Sequence, residues 1–95
     1  MQASTQATTS LPACSALPIL RRNDQQKSPI ENVRLLQQRL NQSGFSLTAD
    51  GFFGAKTEKA VKEYQDRYNE YKPTVVVDGI VGPITWQLLG FCVKG

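Results

Sequence analysis

The chain predicts a mainly α, compact three-helix domain with at most a very short β pairing, and three observations carry that prediction. Ile30, Val33, Leu36 and Leu40 recur at helical spacing, with Leu35 widening the stripe. Ala60, Val61, Tyr64 and Tyr68 form a second stripe of the same period. The third is a repeat: Asp50-Gly-Phe-Phe-Gly-Ala-Lys-Thr57 is answered 28 residues later by Asp78-Gly-Ile-Val-Gly-Pro-Ile-Thr85. Both copies read D-G-Φ-Φ-G-x-x-T, with Φ apolar, and both run into a helical segment.

Taken in order, the first helix is expected over 29–43. Ser28 suits the cap, Pro29 the first helical position, and Glu31 the return hydrogen bond of a capping box. Gly44 supplies a left-handed stop, and Phe45 folds back on the last turn. Residues 46–49 read as extended. The β-branched run Val75-Val76-Val77 is expected to pair with them briefly. The second helix is expected over 55–68, with Glu58–Lys62, Lys59–Glu63 and Glu63–Arg67 pairs on its outer face. A loop over 69–73 follows. The third helix is expected over 83–89, ended by Gly90.

The repeated unit has a local physical reading. Asp50 and Asp78 accept from amides two residues on and close Asx turns. Gly51 and Gly79 supply the positive φ such turns need. Phe53 and Val81 drop into the core, and Trp86 anchors the third helix partly buried. Gly54 and Gly82 stand at the helix starts, with Pro83 in the first turn of the second copy. Thr57 and Thr85 bond back into the loop. On this reading Asp50, Gly51, Phe53, Gly54, Thr57, Asp78, Gly79, Val81, Gly82, Thr85 and Trp86 make the fold rather than touch a ligand.

Composition narrows the function classes. Ninety-five residues suit one domain, expected over 17–90, between a flexible leader at 1–16 and a tail at 91–95. Eleven Lys/Arg against eight Asp/Glu give a net charge of +3, and the lysines of helix two alternate with acids. No uniform basic stripe forms, so nucleic acid is not an expected partner. The chain has no histidine, which excludes Ser-His-Asp and Cys-His catalysis built within it. Each repeat carries one carboxylate, whereas calcium takes six to eight oxygens, so neither a metal nor a cofactor is expected. No apolar run reaches the length of a membrane span. Cys14 and Cys92 read either as a disulfide joining the two ends or as two thiols in a reducing compartment. Residues 1–10 have no basic start or apolar stretch of a secretory signal, which leaves a cytoplasmic location or a shortened N-terminus open.

Val33-Arg-Leu-Leu-Gln37-Gln-Arg-Leu40, Gly44-Phe45, the two Asp-Gly units, Ala60-Val61, Tyr64-Gln65 and Trp86 follow one another in order. Together, over residues 17–89, they resemble the three-helix peptidoglycan-binding domain of bacterial cell-wall hydrolases, carboxypeptidases and phage lysins. The resemblance implies a non-catalytic module that binds peptidoglycan, through its glycan strand, its stem peptide or both. It also implies a separate cell-wall hydrolase as partner, and a location in the wall, the periplasm or outside the cell. The sequence departs from the family in having Tyr64 for a usual Phe, a longer loop over 69–75, and no catalytic domain.

Sugar faces bury their C–H groups on aromatics, and carboxylates seek cations. The expected ligand contacts are therefore Phe52, Lys56, Tyr64, Gln65, Tyr68 and Tyr71. Phe52 and Tyr71 lead the set: Phe53 is the core plug, so its neighbour points outward. Tyr64 and Tyr68 also lie on the core stripe, where packing is the competing role. The alternative function is a protein–protein interaction module that keeps the fold without binding glycan. A glycosidase would need two opposed carboxylates across a cleft, and no second lobe is available to form one.

Overall fold

The computed structural model describes residues 11–93. Among these residues there are three helices, α1 (Glu31–Gln42), α2 (Ala55–Asn69) and α3 (Pro83–Leu88), and a 3₁₀ turn at Cys14–Ala16 before them. Among the described residues there is no strand, only two isolated bridges, Ala13 with Val93 and Leu20 with Val81. The core lies between the helices and holds Val33, Leu36 and Leu40 of α1, Ala60, Val61 and Tyr64 of α2, and Trp86 of α3. Phe53 and Val81 are buried in it, each from the turn preceding a helix.

α1 begins two residues later than its sequence suggests. Ile30 occupies the cap position in an extended conformation, and no side chain caps the helix. The reason is a long-range contact: the Ile30 amide donates to Gly51 O at 3.0 Å. Residues 28–30 thus lie flat against the first Asp-Gly turn instead of entering the helix. Gly51 is required there twice over. Its φ is +81°, and a Cβ would meet Pro29 Cβ at 2.9 Å. Glu31, freed from a capping role, pairs with Arg34 one turn on. Ile30 is exposed and does not join the core stripe.

The other end of α1 closes as expected. Gly44 has φ +106°, its amide donates to Asn41 O at 3.1 Å, and the Phe45 amide reaches Leu40 O at 3.2 Å. That pair of bonds is a Schellman closure, with Phe45 packed on the core. α3 ends in the same way through Gly90 and Phe91, whose ring meets Trp86 edge-on at 5.1 Å. Arginines reinforce both ends: Arg67 Nη1 donates to Ser43 O at 3.1 Å, and Arg39 Nε donates to Leu89 O at 2.8 Å.

Three further expectations are corrected. Val75–Val77 does not pair with residues 46–49. Asn69 Nδ2 donates to Val75 O at 2.7 Å, and Asn41 Nδ2 donates to Leu47 O at 2.8 Å. Each stretch is thus held by the helix before it rather than by the other stretch. Val75 is buried while Val76 and Val77 are exposed.

Residues 11–16 are not a loose leader. Cys14 and Cys92 form a disulfide, the Cys14 amide donates to Val93 O, and the Val93 amide donates to Pro12 O, both at 3.0 Å. The same bonds fix residues 91–93, which were expected as a tail. The remainder of the expected leader, 1–10, lies outside the described residues, as do 94 and 95. Leu20, next along, is buried and exchanges two backbone bonds with Val81, at 3.0 and 2.8 Å, while Trp86 Nε1 donates to Pro18 O at 2.8 Å.

Candidate functional site

Two buried glutamines organise the molecule. Gln37 on α1 and Gln65 on α2 are each 1% exposed, although both are polar residues on apolar helix faces. Gln37 Nε2 is shared among Asp50 Oδ1 at 3.1 Å, Phe52 O at 2.9 Å and Thr57 Oγ1 at 3.0 Å. Its Oε1 accepts the Gly51 amide at 2.9 Å. Gln65 Nε2 makes the same set with Asp78 Oδ1 at 3.1 Å, Ile80 O at 2.9 Å and Thr85 Oγ1 at 3.1 Å. Its Oε1 accepts the Gly79 amide at 2.9 Å and the Asp78 amide at 3.1 Å.

The Asx bonds complete each turn, from the Phe52 amide to Asp50 Oδ1 at 3.0 Å and from the Ile80 amide to Asp78 Oδ1 at 2.9 Å. The Phe52 amide, helped by Gln37 Nε2, holds the Asp50 carboxyl below its ordinary range against the opposing effect of burial. Thr57 and Thr85 therefore serve the glutamines and do not bond back into the loop as expected.

The repeat is thus longer than the octapeptide. Gln37 and Gln65 are 28 residues apart, as are Asn41 and Asn69, and Arg39 and Arg67. Each unit comprises a helix, a stretch pinned by asparagine, and an Asp-Gly turn clamped by glutamine. Sequence reasoning gave Gln37 and the asparagines no structural role and placed Gln65 on the ligand surface, because the glutamines' partners lie 13–20 positions downstream and the asparagines' 6, beyond any local capping or turn rule. The shared 28-residue register was the signal that would have found them.

Of the expected ligand contacts, the structure brings two together. Phe52 is 36% exposed, and Lys56 stands exposed in the first turn of α2. Both line a groove of about 360 Å³ with Thr48 and Asp50. The backbone of Phe52 is bonded at both its amide and its carbonyl, so the ring is presented from a fixed base.

The other four lie elsewhere. Gln65 is buried and spent on the second turn, so its side chain is structural. Tyr64 is buried as well; its hydroxyl donates to Leu88 O at 3.0 Å, and burial, with Tyr68 adding to the effect, pushes its pKa up to about 12. Tyr68 is half-buried, with its ring centroid 5.0 Å from that of Tyr64. Tyr71 is 77% exposed on the turn after α2, apart from the groove of Phe52. No cluster of three or more carboxylate or cysteine groups suited to a metal occurs among the described residues.

A family model for a peptidoglycan binding domain matches residues 30–89, which takes in both glutamine clamps and all three helices. The chain belongs to that family. The peptidoglycan-binding domain is similar to solved structures as well. One is a peptidoglycan-binding protein from Clostridioides difficile, solved in complex with glutamine hydroxamate. It is 32% identical, with a TM-score of 0.64, over 77% of this chain and 40% of that one. The SleB N-terminal domain is 32% identical, with a TM-score of 0.62, over 76% of this chain and 88% of that one. A fused zinc-dependent amidase/peptidase/peptidoglycan-binding-domain protein from Clostridium acetobutylicum is 31% identical, with a TM-score of 0.62, over 81% of this chain. The match spans only 31% of that protein's length. A search of curated protein sequences returned no match. The peptidoglycan-binding domain is a wall-binding module, and no helix among its described residues is long and apolar enough to cross a membrane.

Proposed function

We propose that the domain holds a partner activity on the cell wall, and that it meets the wall at the groove of Phe52 and Lys56. The single observation behind this reading is an aromatic ring presented outward from a backbone locked at both ends, beside a free-standing cation. A sugar ring stacks on Phe52, and Lys56 meets a wall carboxylate. The partner is a wall hydrolase; a neighbour that carries this fold fused to an amidase/peptidase supports that reading. The Cys14–Cys92 disulfide favours an oxidising location outside the cytoplasm. A groove this small binds one wall repeat weakly, and retention comes from many repeats and a tethered partner.

Sedimentation with insoluble peptidoglycan tests the proposal. The parent is expected in the pellet. Phe52→Ala is expected to weaken binding roughly tenfold, about 1.4 kcal/mol, with an unchanged melting temperature because the ring is not part of the core. Lys56→Ala is expected to cost less, and only at low salt. Tyr71→Ala is expected to sediment like the parent. A parent that stays in the supernatant at low and moderate salt would instead support the protein–protein interaction reading.

A further inference from the structure

The 28-residue register creates a second groove. Around the clamp of Gln65, a trough of about 230 Å³ is lined by Val76, Asp78, Ile80 and Ile84, and these stand where Thr48, Asp50, Phe52 and Lys56 line the first groove. The turn and its clamp are retained, while Thr48, Phe52 and Lys56 are replaced by the aliphatic Val76, Ile80 and Ile84. The N-terminal segment adds Ile19 and Arg21, which have no counterpart in the first groove. Leu20, between them, is fixed by its two bonds to Val81, so both neighbours are presented from an anchored backbone.

This surface is apolar but exposed. Ile19 is 62%, Val76 63% and Ile84 44% exposed, an unusual concentration for a domain whose core is otherwise closed. Charge sets the kind of occupant. Arg22 is engaged by Asp24 and Glu58, whereas Arg21 enters no ion pair among the described residues. Asp78 Oδ1 is taken by Gln65 and the Ile80 amide, which leaves its second oxygen to accept from an N–H. The trough is smaller than the ~300–1,000 Å³ of drug-sized pockets, so it suits a short stretch of extended chain rather than a sugar with its substituents.

We infer that this second groove is a peptide site, separate from the first, which takes the stem peptide of peptidoglycan. Small aliphatic side chains lie on Val76, Ile80 and Ile84, a peptide N–H donates to Asp78, and a free carboxylate pairs with Arg21. The inference rests on the wall-binding reading and divides its labour: the first groove reads sugar, the second reads peptide.

Two soluble probes separate the sites: glycan strands stripped of peptide, and the free stem peptide, each titrated into ¹⁵N-labelled protein. The stem peptide is expected to shift the amides of Val76, Ile80 and Ile84 and to leave the Phe52 amide unmoved. Ile84→Lys, which restores the first groove's residue type at an exposed position, is expected to weaken peptide binding at least fivefold and leave glycan binding intact. Arg21→Gln is expected to weaken the peptide with a free carboxylate severalfold and its C-terminal amide hardly at all. Glycan binding without peptide binding would overturn the inference and leave the wall-binding reading standing. Peptide shifts centred on Phe52 would overturn the division of labour, and failure of both probes would overturn both readings.

Discussion

Removing the Cys14–Cys92 disulfide is expected to destabilise the domain by about 4–5 kcal/mol, the loop-closure entropy of a bridge spanning 78 residues. Domains of this size have a marginal core, and total stabilities near 5–15 kcal/mol are usual. Loss of the bridge therefore consumes a large share of what holds the fold. The effect should also have a local signature. The Cys14 and Val93 amides, which bond across the closure, are expected to lose protection from hydrogen exchange first. The Leu20 and Val81 amides, in their own exchanged pair, should be released only with the core. Urea melts of the oxidised protein and of the Cys14→Ala/Cys92→Ala variant check the magnitude. A difference below about 1 kcal/mol would mean that the remaining contacts of residues 11–20 suffice.

Gln65→Leu is expected to cost about 3–4 kcal/mol, because each stranded buried polar group costs ~1–3 kcal/mol. Leucine keeps much of the volume, so the loss isolates the hydrogen bonds. The Gly79 and Asp78 amides lose their acceptor, Thr85 Oγ1 and Ile80 O lose their donor, and Asp78 Oδ1 keeps only the Ile80 amide. Gln37→Leu should cost nearly as much through the first turn, although its Oε1 serves one amide rather than two. Gln38→Ala, on the exposed face of α1, is expected to change stability by less than about 0.5 kcal/mol. Denaturant midpoints of the three variants make the comparison. If Gln65→Leu behaved like Gln38→Ala, the clamp would not be what holds the second turn.

These two expectations mark the limit of what sequence reading could reach. Helix content was legible because apolar period and glycine stops are local: Leu36 and Leu40 are buried as their spacing demands, and Gly44 ends α1 with positive φ. The inward Phe53 and outward Phe52 were legible for a similar reason, since neighbouring residues in an extended turn face opposite ways. The start of α1 was not, because the Ile30 amide is claimed by a carbonyl 21 residues away. Gln65 was misassigned to the ligand surface because a polar side chain on a helix reads as exposed, unless the turn that clamps it is seen. Cysteine pairing hung on whether the two ends meet, which is a property of the assembled domain. Tyr71 is exposed, but no pattern in the chain says that it stands apart from Phe52.

The most direct test of wall recognition is a ¹⁵N–¹H titration of the domain with soluble peptidoglycan fragments that keep both sugar and peptide. The expected result is saturable movement of the Thr48, Phe52 and Lys56 amides, with the Tyr71 amide unmoved. Movement centred on Tyr71 and the loop after α2, with the Phe52 groove silent, would contradict it.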